Sequence, residues 1–329
     1  MNKNFAARTC FLAASLLAAM VGAVPSAAAQ DFPNRPLRIV VPYPPGGNVD
    51  ITARTVQSAL SEVLGQQVLV DNRPGAGGTT GSAQVAKSSP DGYTLLLGSS
   101  GTITNAPAVY KNIAYDPVRD FIAVGAIQTT PMVLTAAPKT PVQNYSEFLN
   151  YIKTKNSPVS IATAGAGTSN HLALELLMRQ AKLTLLHVPY KGSGPAITDV
   201  LGSQVDGMID QLSASIGHIR EGRMKALAVT SRARSPQLPN VPTLIELGVK
   251  DFEVGTFTGI FGPAGMPAAV TEKLHLALKK ALTVESVRER YRSMGVEIMD
   301  LSQAEFSAYV KTDFEKWRQI ARERNIVVE

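Results

Sequence analysis

Cysteine is almost missing from these 329 residues: the single one, Cys10, lies in the first thirty positions. The rest of the chain offers no disulfide framework, no thiolate metal site and no cysteine nucleophile. The four histidines, His171, His187, His218 and His275, are too dispersed for a zinc signature. Aromatics make up 6% of the chain, with one tryptophan, and the basic residues form no run interleaved with them. That pattern excludes a nucleic-acid groove. Beyond the first thirty residues no apolar run reaches the roughly 20 residues of a membrane span. No Walker lysine follows any glycine loop, and GSSGT at Gly98 to Thr102 stops one residue short of GxSxG. The gaps count against a catalyst.

At the N-terminus, Lys3 and Arg8 are the only charges before an apolar run from Phe11 to Val24, and Ala27-Ala28-Ala29 come after it. This order marks residues 1–29 as a secretory signal peptide, cut between Ala29 and Gln30. The run is short for an anchor, and Cys10 precedes it instead of ending it, which argues against lipid attachment. Loss of Lys3 and Arg8 lowers the formal charge from +6 to +4. The remaining length suits two lobes better than one core.

Strand-like and helix-like stretches alternate after residue 36. Leu37 to Val41 is a continuous apolar run, as in a strand covered on both faces. Val49, Ala53, Val56, Leu60 and Val63 recur at helical spacing, and Gly65 can close that helix. Further strands are expected at Val68 to Asp71, Tyr93 to Leu97, Val159 to Thr163, Leu185 to Pro189, Val205 to Asp210 and Lys225 to Val229. Helices are expected at Thr80 to Lys87, Glu147 to Lys155, Ser169 to Gln180, Ala196 to Leu201 and Ser213 to Glu221. The rhythm is that of parallel sheets with helices on both faces. Phe252 to Phe261 reads as extended, and everything after Gly262-Pro263 as helical. Ser302 and Glu305 form a capping box for a last helix carrying Phe306, Tyr309, Phe314, Trp317 and Ile320 as packing residues. Crossovers near Ala123 to Thr130 and Phe252 to Thr258 would join two lobes and serve as a hinge.

Five segments put glycine and small hydroxyl residues where a strand hands over to a helix. They are PYPPGGNVD (Pro42 to Asp50), GAGGTTG (Gly75 to Gly81), GSSGT, TAGAGTSNH (Thr163 to His171) and YKGSGPA (Tyr190 to Ala196). Glycine admits close backbone approach, and helix starts present unpaired N–H groups with positive partial charge. Together they would cradle a small anion.

The stretches LRIVVPYPPGGNVDITAR, DNRPGAGGTTGSAQVAKSSPDGYTLLLGSSGT, HVPYKGSGPAITDVLGSQVDGMID, KALAVTS and LPNVPTLIELG resemble the tripartite tricarboxylate transporter receptor family, also called Bug-type periplasmic solute-binding proteins. The resemblance covers the whole chain after the signal. It implies an α/β, type II-like two-lobed periplasmic binding protein, each lobe a mainly parallel sheet flanked by helices, hinged at two crossovers. Lobe 1 would comprise residues 30–124 and 255–329, and lobe 2 residues 125–254. Its implied work is capture of a small carboxylate (a di- or tricarboxylate, an acidic amino acid or an aromatic acid) for delivery to a two-subunit membrane permease. A monomer without cofactor or catalytic residue is expected. Family members hold a ligand carboxylate, partly through water, with segments that match Tyr43 to Asp50 and Thr163 to His171 here.

Within those segments Gly46 and Gly47 permit a tight turn, and Asn48 either caps the helix or faces ligand. Asp50 is structural, since a carboxylate facing an anion would repel it. Tyr43 supplies a hydroxyl or a wall. Ser99, Ser100 and Thr102 come directly after a buried strand and are expected at the ligand. Gly165, Gly167, Thr168, Ser169 and Asn170 surround a second helix start, where caps and contacts share the hydroxyls. His171, in the same turn, is placed between a structural role and contact, and Tyr190 offers a wall or a hydroxyl. Asp210 either binds a ligand ammonium or hydroxyl group or serves as a cap or salt-bridge partner. The rival readings are a sensor for a membrane kinase, with the same pocket, and a secreted hydrolase or isomerase using Asp210 and His171. The signal assignment predicts a secreted chain beginning at Gln30. Intact-mass measurement of the exported protein checks it, and a retained leader would refute it.

Overall fold

A computed structural model describes residues 32–324 and 326–328; the expected signal peptide, its cleavage point and Cys10 lie outside them. Strand β1 (Leu37–Val41) buries four of its five side chains. Helix α1 (Asn48–Leu64) then lays Val49, Ala53, Val56 and Leu60 on the core and stops at Gly65, whose φ of 66° is the left-handed cap. Strand β2 (Val68–Asn72), helix α2 (Thr79–Ala86) and strand β3 (Thr94–Ser99) complete a parallel trio in the order β2-β1-β3. A π-helical turn, Ser100–Asn105, leads into the short helix α3 (Ala106–Val109).

Strand β4 (Phe121–Ala136) comes next as one strand of 16 residues. After it stand α4 (Tyr145–Thr154), β5 (Val159–Thr163), α5 (Ser169–Gln180), β6 (Leu185–Pro189), α6 (Ser193–Leu201), β7 (Gly207–Gln211), α7 (Leu212–Arg220) and β8 (Lys225–Val229). Helix α6 starts three residues before the expected Ala196. Pro195 in its first turn needs no N–H partner, so the helix can begin at Ser193-Gly194. The chain ends with β9 (Gly255–Pro263), α8 (Ala268–Leu282), α9 (Glu285–Ser293), β10 (Glu297–Ile298) and α10 (Gln303–Arg324). The stretch after Pro263 is therefore not wholly helical, because β10 pairs with Gln128 and Thr129 of β4.

The strands join in the order β2-β1-β3-β9-β4-β7-β5-β6, with β8 and β10 also on β4. The β1, β2, β3 set and the β5, β6, β7 set are parallel inside, while β4 and β9 run antiparallel to their neighbours. From Phe121 to Pro131, β4 pairs with β9; from Met132 to Ala136 it pairs with β7 and β8. Proline has no ladder donor to lose, so Pro131 stands naturally where one set of partners ends. The segment marked as the first crossover, Ala123 to Thr130, is the middle of this strand.

Apolar packing forms around each half. Val40, Leu96, Phe257, Phe261 and Phe306 build one cluster, and Leu134, Phe148, Ile161, Leu172, Leu177 and Trp317 belong to another. The capping box at the start of α10 is formed, with Glu305 Oε2 accepting from Ser302 N–H at 2.8 Å. Phe306 of α10 joins the first cluster and Trp317 the second, so one helix spans both. Phe306→Ala and Trp317→Ala should each cost about 3–5 kcal/mol, read as a drop in urea midpoint. Tyr309→Ala, 39% exposed, should cost roughly 1 kcal/mol or less.

Candidate functional site

The C-terminal ends of β1, β3, β5, β6 and β7 face one another, and the loops that leave them meet. Open α/β sheets present ligands at this edge, because helix starts and free backbone groups gather there. An inner cavity of about 30 Å³ is lined by Tyr43, Asn48, Ser99, Ser169, Asn170 and Ser193, with Gly47, Gly101, Thr168, Gln211 and Thr256 also on its wall. A wider cavity of about 610 Å³ lies over Tyr43 and Ala164, between Pro74–Gly78, Tyr110, Gly165, Tyr190 and Lys191.

Side-chain hydrogen bonds cross from one half to the other around the cleft. Ser213 Oγ donates to Asn48 Oδ1 at 2.7 Å, Ser169 Oγ to Asn105 Oδ1 at 2.9 Å, and Tyr110 Oη to the Ala166 carbonyl at 2.9 Å. The halves press together where only glycine fits, as at Gly167 and Gly192. Gly167 has φ 71°, and a Cβ there would run into the Tyr110 ring. Gly192 has φ 128°, and its Cβ would stand 2.6 Å from Pro44 Cδ. No other residue fits either position.

Helices α1 and α6 both start after glycine, Gly47 and Gly192, and neither start takes a side-chain cap. Their first N–H groups carry the positive end of the helix dipole, and Gly47, Asn48 and Ser193 bring those starts to the cavity wall. Helix α5 differs: Thr168 caps it by accepting from His171 N–H at 3.4 Å. Asn48 is 3% exposed, and its Oδ1 also accepts from Gln128 Nε2 at 3.1 Å. Its Nδ2, like Asn105 Nδ2 and Thr256 Oγ1, is buried without a partner. Buried unpaired donors cost about 1–3 kcal/mol each, so Asn48 and Thr256, which share the cavity wall, call for an acceptor. No lysine or arginine stands among the residues lining the inner cavity.

The expected site residues fall into three groups. Tyr43, Gly47, Asn48, Ser99, Thr168, Ser169 and Asn170 line the inner cavity. Gly165 and Tyr190 line the outer one. Gly46, Ser100, Thr102, Gly167, His171 and Asp210 line neither and serve neighbouring residues. Gly46 N–H donates to Asp50, Ser100 Oγ accepts from Phe257 N–H, and Thr102 forms a capping box with Ser99. Gly167 N–H donates to His171 Nδ1 at 3.1 Å, and His171 stacks on His187 at 4.4 Å. Burial, with His187 beside it, pushes His171 down to about 4, so it is neutral near pH 7.

Tyr43 presents a half-buried ring, and burial raises its hydroxyl to about 12 although Ser99 hydrogen-bonds to it. It stays a neutral donor at every physiological pH. The Tyr190 hydroxyl donates to Asp199 at 2.7 Å and is likewise pushed up to about 12, by burial first. Asp210 is fully buried one layer behind the wall, accepting from Asn170 Nδ2 and Ser193 Oγ, each at 2.7 Å.

Sequence patterning did not single out Ser193, Gln211 or Thr256. Ser193 sits inside the recognised YKGSGPA loop, where two glycines and a helix start were the available signal. Thr256 had none, because only strand pairing brings it here.

A two-lobed α/β frame with a donor-rich cleft at the ends of its parallel strands defines a periplasmic solute-binding protein. The chain belongs to the tripartite tricarboxylate transporter receptor family, whose sequence profile matches residues 52–326. Among solved structures, the periplasmic binding protein BugD is 37% identical, covers 91% of this chain and 100% of its own, and superposes with a TM-score of 0.87. MatC from Rhodopseudomonas palustris with bound malate is 34% identical over 88% of this chain and 99% of its own, TM-score 0.83. Rpa4515 from R. palustris with adipate is 31% identical over 90% and 99%, TM-score 0.86.

The loop after β1 is held from behind by Asp50, as expected of a structural residue. Its carboxylate accepts from Arg54 Nε, Gly46 N–H and Asn72 Nδ2 at 2.9–3.0 Å. Burial opposes the charge, but the bonds from Arg54, Gly46 and Asn72 outweigh it and hold the group below the ordinary carboxylate range. A depressed folded-state value gives stability that is present above the unfolded value of about 4 and lost as pH falls through the folded one. Asp50→Ala should therefore cost about 2 kcal/mol at pH 7. The gap to wild type should narrow by pH 3 in urea titrations; an equal gap at both values would refute the charge-based account.

Proposed function

We propose that this protein captures a small dicarboxylate between residues 30–124 with 255–329 on one side and 125–254 on the other. The observation that carries the reading is the meeting of two uncapped helix starts, α1 and α6, with the unpaired donors of Asn48 and Thr256 on one cavity wall. Neutral donors and N–H dipoles can hold a carboxylate without burying a lysine or arginine, whose desolvation costs several kcal/mol. Malate and adipate in two relatives support the ligand class.

The mechanism is hinge closure. A solute enters when the bonds Ser213–Asn48, Ser169–Asn105 and Tyr110–Ala166 part, and contacts it makes to both sides favour their return. Bending falls where β4 exchanges partners and where β9 begins. The closed monomer, exported after cleavage near Ala29, is what a two-subunit membrane permease recognises. The polar groups act by binding, and none is assigned a catalytic step.

Thermal melting against C4 to C6 dicarboxylates at pH 6 tests this, since a ligand of the folded state alone raises the transition by mass action. A clear shift with at least one acid is expected. Asn48→Ala or Ser169→Ala should weaken its binding about tenfold, the worth of one hydrogen bond to a charged group. Full affinity in both variants would remove the cavity from the site.

A further inference from the structure

We propose that Asp210 couples ligand capture to proton uptake: an anion closing into the cavity is bound together with one proton, which passes from solvent to the free oxygen of this carboxyl. The coupling rests on the carboxylate reading and adds to it how pH governs the same site.

Asp210 is the fourth residue of β7 and has no exposed surface. Its two oxygens are unequal. Oδ1 takes the bonds from Asn170 and Ser193, while Oδ2 is buried with no partner. The groups that bond it or stand opposite it in register are neutral. Helix α5 offers Asn170, α6 offers Ser193, β4 places Val133 opposite in register, and β7 itself adds the Gln211 N–H. Titratable side chains on α5, α6 and α7, which also packs on β7, are engaged elsewhere or neutral. Glu175 faces Arg179 at 3.9 Å, Asp199 accepts from Tyr190, and Arg220 donates to the Ser293 carbonyl. Burial pushes His171 and His218 down, and β5 carries no titratable group. No counter-charge reaches the carboxylate. Burial is the largest influence on it and lifts it to about 6, against the pull of its two side-chain partners.

Asn170 and Ser193 are at once its partners and part of the cavity wall. One layer of side chain therefore separates an arriving carboxylate from a bare buried one. Two like charges that close in low dielectric raise each other's proton affinity, as in carboxylate pairs that share a site. The cheapest outcome is a proton on Oδ2. Oδ1 keeps both bonds, so Ser193 and Asn170 hold their orientation whether or not Asp210 is ionised. A ligand ammonium gains little here, because the same two side chains stand between it and the carboxylate.

Linkage gives the sign. If the complex holds one more proton than the free protein, affinity falls as pH rises. The fall should approach tenfold per pH unit above the free carboxyl's value of about 6 and flatten below it. Isothermal titration of the mature protein with malate and adipate from pH 6 to 8.5, in phosphate and in Tris, counts protons through the buffer-dependent heat. Uptake approaching one proton near pH 7.5 is expected in wild type, and binding without pH dependence or proton uptake in Asp210→Asn. Wild-type heats that do not depend on buffer would overturn the coupling while leaving the receptor reading intact, and this needs no variant. Uptake that persists in Asp210→Asn would also overturn it. Absence of binding by any C4 to C6 dicarboxylate at pH 6, where coupling weakens nothing, would remove the carboxylate reading and the coupling with it.

Discussion

Strand β4 belongs to both halves of the sheet, and the rest of the structure depends on that sharing. Its backbone faces β9 from Phe121 to Pro131 and β7 from Met132 to Ala136, with the exchange between Pro131 and Met132. A strand cannot shift register in one half without dragging the other, since a one-residue slip turns every side chain to the opposite face. The shared strand thus fixes how the ends of β1 and β3 stand against those of β5, β6 and β7. The cleft lies where these ends meet. Helix α10 adds a second tie, with Phe306 in one core and Trp317 in the other.

On that frame the site is built from dipoles and neutral donors instead of ions. Of the acids nearby, Asp50 is tied into the scaffold with Arg54 and Asp210 is set back, while the basic Lys191 lines only the outer cavity. Neutral donors hold a carboxylate with less desolvation cost than a buried guanidinium, and they allow release once the halves part. The exception is a carboxyl with one oxygen unpaired. A buried acid without a counter-ion is costly to ionise, and on the proposed reading this would give the cleft a dependence on pH that neutral donors lack.

Much of this order was legible from local chemistry. Apolar runs marked β1 and β3, helical spacing marked α1, Gly65 marked its end, and Ser302 with Glu305 marked the start of α10. Glycine before a helix start pointed to Gly47 and Asn48, and Ser169 and Asn170 stood out at a second one. These features depend on residues close in the chain, whose backbone preferences and periodicity act before any tertiary contact forms. The length of β4 was not legible, because its apolar run is read identically whether it serves one sheet or two.

Which hydroxyls face the cavity was settled by packing at long range. Ser99 and Ser100 are neighbours in the same motif, yet Ser99 lines the wall while Ser100 turns to Phe257 N–H, 157 residues away. Thr256 enters through β9 pairing, and Asp210 recedes behind Asn170 and Ser193 because β7 is covered by α5 and α6. Local sequence sets where a loop turns and what donors it carries. The direction each donor points depends on what the distant chain places against it, and no periodicity records that.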